Sequence, residues 1–123
     1  MSSKAILVVD DCRNFPKSPT DMVRTVRTSA AALQFLGFDT GVRPEIDELW
    51  LDFDLGGVFG QLELYDTAMP VALYLAECAY YGDPYPVKEI IIHSSNPVGS
   101  EAMLQTLLRF GYNVKRQEAH FGV

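Results

Sequence analysis

Residues 5–11, AILVVDD, form a run of five apolar positions closed by two acids. An apolar run of that length without alternation reads as a strand buried on both faces. The next stretch, 12–21, carries two prolines among polar residues and shows no helical period, so it reads as a loop. MVRTVRT, 22–28, alternates apolar with polar and β-branched residues, as a half-exposed strand does. SAAALQFLGF, 29–38, has helical character, with Thr28 or Ser29 as its cap and Gly37 as its stop. DELWLDFD, 47–54, predicts another strand, and the glycine-containing stretch 56–67 a loop. Pro70 is tolerated only in a first helical turn, so the following helix starts near Thr67 to Met69 and runs to Tyr81. VKEIIIHS, 87–94, predicts a strand. A helix beginning near Gly99 or Ser100 falls within 96–111, and a last strand covers 112–119.

Buried strands alternating with helices predict an α/β fold with a mostly parallel sheet flanked by helices. The order is strand, strand, helix, strand, helix, strand, helix, strand. The first two strands are joined by only about ten residues, short for a parallel crossover, which usually takes a dozen or more. With 123 residues and no repeat, low-complexity tract or linker, the chain reads as one domain.

Composition narrows the function classes. A hydrophobic fraction of 48% fits a folded soluble protein, and no apolar run approaches the roughly 18 residues of a membrane span. The start lacks the pattern of a secretory signal. Two cysteines, Cys12 and Cys78, imply no disulfide framework and suggest a reducing cytoplasm. The net charge of -6 argues against general nucleic-acid binding but leaves room for a small phosphate-bearing ligand, because a local cation can reverse the field in one pocket. Tyr74, Tyr80, Tyr81, Phe110 and Tyr112 read as packing residues. An exposed subset could support a homo-oligomer.

The chemistry collects at strand ends. Open parallel sheets bind ligands beyond the carboxyl ends of their strands. Here the first strand ends in Asp10 and Asp11, the third in Asp52 and Asp54, and the fourth in His93, Ser94, Ser95 and Asn96. Asp52 and Asp54 are two apart and share a face on a regular strand. Crowded carboxylates repel unless a cation or a shared proton relieves them, so Asp10, Asp11 and Asp52 are the candidate ligands for Mg²⁺ or Mn²⁺. The alternative is that each acid only caps a helix or closes a turn. His93 reads as an acid, a base, a ligand or a bonded core histidine, and Asn96 before Pro97 as a phosphate contact or a loop-shaping residue. Arg13 is the cation nearest the acids, able to clamp a phosphate. Arg24 and Arg27, an odd number apart, cannot both line one pocket. Cys12 beside the acids is disfavoured as a thiolate and reads as structural.

The acid pair after the first strand and the acid ending LWLD resemble a response-regulator receiver domain. In that comparison Asp10, Asp11 and Asp52 fill the acidic pocket and Ser94 falls near the hydroxyl residue ending the fourth strand. The chain departs from it in lacking a long helix after the first strand, a Lys-Pro ending the fifth and a closing helix. VVDDCR, VRT before SAAALQFL, LWLDFDLGG, DTAMPVALYL and IIIHSSNPVG are similar to the cyclic-phosphate-processing receiver-like family, over nearly the whole chain. That resemblance implies a single receiver-like (flavodoxin-like) domain, five-stranded, with its first and last helices reduced or absent. It carries roles to Asp10, Asp11, Arg13, Asp52, Asp54, His93 and Asn96, and extends to Asp66. Phe53 stands where the family often has a polar residue.

The expected function is metal-assisted hydrolysis of a cyclic phosphate or cyclic nucleotide. Asp52, Asp54, His93 and Asn96 would be the catalytic group, Arg13, Ser94 and Ser95 the phosphate contacts, and Asp10, Asp11 and Asp52 the metal ligands. The alternative is a non-catalytic module binding a phosphate ligand or a protein partner through the same pocket. A phospho-accepting receiver and a small interaction protein of phage or bacterial origin are further readings.

Overall fold

The computed structural model describes residues 4–11, 21–56 and 65–117. Five strands and three helices follow one another as β1 (Ala5–Val9), β2 (Met22–Val26), α1 (Ser29–Phe35), β3 (Ile46–Leu51), α2 (Met69–Tyr80), β4 (Val87–Ile92), α3 (Pro97–Arg109) and β5 (Val114–Arg116). The sheet has the order β2-β1-β3-β4-β5, and every neighbouring pair is parallel. That is the flavodoxin-like arrangement, and the β1–β2 pair is parallel despite its short connection.

This order dictates where the helices go. From β2 to β3, β3 to β4 and β4 to β5 the chain advances across the sheet in one direction. Right-handed crossovers then place α1, α2 and α3 on the same face. The main core lies under them: Leu7, Val9, Leu49, Leu51, Ile90 and Ile92 from the sheet meet Ala32, Leu36, Val71, Ala72, Leu75, Met103 and Leu107 from the helices. The alternate residues Ile6, Val8, Trp50 and Ile91 form a separate cluster on the other face, to which no helix contributes among the described residues. No helix among the described residues is long and apolar enough to cross a membrane.

The helix ends follow from local chemistry. The Thr28 hydroxyl accepts from the Ala31 amide at 3.1 Å and starts α1. Pro70 sits in the first turn of α2, where its missing N–H is harmless. For α3 the expected start near Gly99 or Ser100 is too late. The helix begins at Pro97, because Asn96 is its cap, with Oδ1 accepting from the Gly99 amide at 2.8 Å. The strands are shorter than expected: β3 stops at Leu51, and β5 covers only Val114–Arg116, with Tyr112 ahead of it. Tyr112 is buried and donates to the Leu75 carbonyl at 2.6 Å. Tyr80 and Tyr81 are not packing residues; they stand exposed at the end of α2, edge to face with centroids 5.1 Å apart.

Candidate functional site

Val8, Trp50 and Ile91 are partners across β1, β3 and β4, in register with Thr25 on β2 and Lys115 on β5. Side chains repeat every two residues along a strand. Two positions further on, the same row reads Arg27, Asp10, Asp52, His93 and Gln117. Backbone bonds carry the ladder past the strands to hold that row. Asp10 N donates to Val26 O, Asp52 N to Val9 O, His93 N to Leu51 O and Gln117 N to Ile92 O, all between 2.8 and 3.1 Å. The site is thus the polar continuation of the sheet face that carries Ile6, Val8, Trp50 and Ile91.

At the row, oxygens of Asp10 and Asp52, together with one of the adjacent Asp11, come within 4.8 Å of one another. Asp10 has no exposed surface, Asp52 is buried and Asp11 is exposed, so the cluster opens to solvent on the Asp11 side. An all-oxygen donor set with one exposed member suits a hard divalent cation such as Mg²⁺ or Mn²⁺, whose remaining positions water can fill. His93 Nδ1 lies 3.8 Å from Asp10 Oδ2, and the imidazole is fully buried, edge-on to Trp50 at 5.5 Å between centroids. The histidine therefore faces the site through Asp10.

Asp54 is placed differently from its expected position on the same strand face as Asp52. The strand has ended, and Asp54 instead bridges to Thr67 in an antiparallel pair. It falls outside the three-carboxylate group. Asn96 Nδ2 donates to both of its oxygens, at 3.2 and 3.4 Å, while Oδ1 of the same side chain caps α3. Asn96 thus ties Asp54 to the helix start. The Tyr65 phenol lies against Asp54. That interaction, followed by burial and by the charges of Asp54, Asp11 and Asp52, holds its pKa above the usual tyrosine range.

Of the expected phosphate contacts, Arg13 lies outside the described residues, as does Cys12. Ser94 lines a small recess with Ile92, Arg116 and Gln117, and its hydroxyl accepts from the Asn96 amide at 3.2 Å. Ser95 is exposed in the turn before α3. Asp66 has a structural part: its carboxylate accepts from the Ser29 amide at 2.7 Å and the Ser29 hydroxyl at 2.5 Å, pinning the start of α1. Phe53 packs against the first turn of α3, where a Cβ on Gly99 would run into its ring. The fifth strand brings Gln117 to the row, while Lys115 pairs with Glu89 at 3.4 Å.

One residue was passed over in the sequence. Arg27 occupies the row beside Asp10, and its guanidinium donates to the Asp10 carbonyl at 3.1 Å. Arg24 points the other way, over the Phe35 ring at 5.3 Å. The parity separating the two arginines was visible; which of them faces the acids needed the register of β2 against β1.

A parallel sheet of order 2-1-3-4-5 with acids ending its first and third strands defines a receiver-like domain. Residues 5–109 match the family described as the cyclic-phosphate processing receiver domain. The chain belongs to that family. Comparison with the curated proteins and with the solved structures returned no match.

Proposed function

We propose that this domain hydrolyses a cyclic phosphodiester at the row Arg27–Asp10–Asp52–His93. The observation that carries the reading is the group of three carboxylates beyond the carboxyl ends of β1 and β3, in a chain of a family named for cyclic-phosphate processing. Asp10, Asp11 and Asp52 would hold the divalent cation, which when bound supplies charge neutralisation at the phosphate and a more acidic water. Asp54, held by Asn96 apart from the metal group, would accept the proton of the attacking water. Water oxygen bonds to phosphorus and one ring P–O bond breaks. The freed oxygen takes a proton from solvent and leaves a phosphomonoester. Arg27, anchored on the Asp10 carbonyl, offers donors to the phosphate oxygens. His93, lacking exposed surface, is a positioning residue that orients Asp10.

Initial rates of phosphomonoester release from 2′,3′- and 3′,5′-cyclic phosphates, with Mg²⁺ or Mn²⁺, test this. We expect turnover with at least one of them, and a loss of about 100-fold or more in kcat for Asp54→Asn and Asp52→Asn. Full activity in Asp52→Asn, or no turnover by pure protein with any cation, would sink the proposal. The full burial of Asp10 and His93 favours a second reading, a phosphate-binding module without turnover. It is separated by a ligand that raises the melting temperature yet yields no product.

A further inference from the structure

After Asp54 the chain pairs antiparallel with the segment entering α2. Asp54 bridges Thr67, Leu55 N donates to Asp66 O at 3.0 Å, and Asp66 N donates to Gly56 O at 2.8 Å. That ladder sets Tyr65 opposite Gly56. Gly56 in turn has φ +80°, and a Cβ there would lie 3.2 Å from Asp11 Oδ2. Tyr65 is therefore a rim residue of the acidic centre, placed by backbone pairing. Its hydroxyl is engaged by Asp54, and the charges of Asp11 and Asp52 reach it as well. The residue nevertheless remains 48% exposed and is absent from both core clusters.

A side chain that only packed would be covered. One that only steadied Asp54 would need a hydroxyl but no bare ring. Tyr65 combines a tethered hydroxyl with a half-exposed side chain outside the core, and tethering lowers the entropy lost when a flat group stacks on it. We propose that Tyr65 is a stacking platform for a nucleobase, so that the site prefers nucleoside cyclic phosphates to base-free ones. A phosphate at the carboxylates would carry its organic part over the rim on the Asp11 side, where the cluster is open. Aromatic rings suit any base, because every base has a π-face, so the platform selects the class of nucleosides without choosing among bases.

This inference rests on the phosphate-site reading and is measured separately from turnover. Dissociation constants for adenosine 2′,3′-cyclic phosphate and glycerol 1,2-cyclic phosphate are compared by calorimetry with Mg²⁺ present. The comparison covers wild type, Tyr65→Phe and Tyr65→Ala, with KM ratios added where product forms. The expected wild-type preference for the nucleotide is on the order of tenfold or more. It persists in Tyr65→Phe and collapses toward unity in Tyr65→Ala. No nucleotide preference in wild type overturns the platform, whether or not either compound is hydrolysed, and so does a preference that survives Tyr65→Ala. Loss in Tyr65→Phe equal to that in Tyr65→Ala assigns the effect to the hydroxyl and also overturns it. A preference without product in any variant upholds the platform and rejects hydrolysis, whereas hydrolysis without preference does the reverse.

Discussion

Asp47 shows how much of this molecule's electrostatics lies away from its site. Its carboxylate accepts from the Ala5 amide at 2.7 Å and pairs with Lys88 at 3.0 Å, and these two contacts, the amide first, pull its pKa below the usual carboxylate value. A depressed carboxylate stabilises the fold above its unfolded pKa, and that stability is lost as pH falls through the folded value. Asp47→Asn should therefore lower the melting temperature at neutral pH. The gap to wild type should begin to narrow below about pH 4, where the unfolded carboxylate is protonated, and go on shrinking as pH falls toward the lower folded value. Melting curves from pH 2.5 to 7 check it; a gap that is constant with pH contradicts the assignment. At this scale the sequence disclosed residue types and missed orientation. Asp10, Asp52 and His93 were recognisable because acids and a histidine closing apolar strands need an explanation. Arg27 was not, because nothing in VRT alone says which arginine faces the acids. Asp66 carried a family role in the sequence and turned out to hold the Ser29 amide and hydroxyl, a contact across 37 residues that no local pattern encodes.

The elements were legible wherever periodicity was strong and misjudged where one side chain decided an end. The expected late start of α3 undervalued Asn96, whose amide oxygen caps the helix and whose amide nitrogen reaches Asp54. Asn96→Ala should cost about 1 kcal/mol in cap stability by denaturant unfolding. It should also lower kcat, as should Asn96→Asp, which keeps the cap acceptor but repels Asp54; equal kcat in Asn96→Ala and wild type would show that the tether is catalytically idle. Gly99 is fixed by its neighbour Phe53, just past the end of β3. Gly99→Ala meets the Phe53 ring and should destabilise by about 1 to 3 kcal/mol, with part of that recovered in the double variant Gly99→Ala/Phe53→Leu. A strictly additive double variant would mean the two do not touch.

For the whole molecule, strand order explains the site's location. Three crossovers advancing in one direction place every described helix on one face of the sheet, and the row of polar residues continues the other face. The continuous apolar runs of β1, β3 and β4 made that arrangement readable in outline: buried strands, a parallel sheet, acids at the carboxyl ends. It could not supply the register, which aligns Asp10, Asp52 and His93, nor the end of β3 at Leu51, which leaves Asp54 to bridge Thr67 and meet Asn96. The central claim is that Asp10, Asp11 and Asp52 form one divalent-cation site. Calorimetric titration of Mn²⁺ and Mg²⁺ into wild type and Asp52→Asn tests it most directly. The account predicts saturable binding of one cation per chain, weakened at least about tenfold in Asp52→Asn. No saturable binding, or binding undiminished by that substitution, would contradict it.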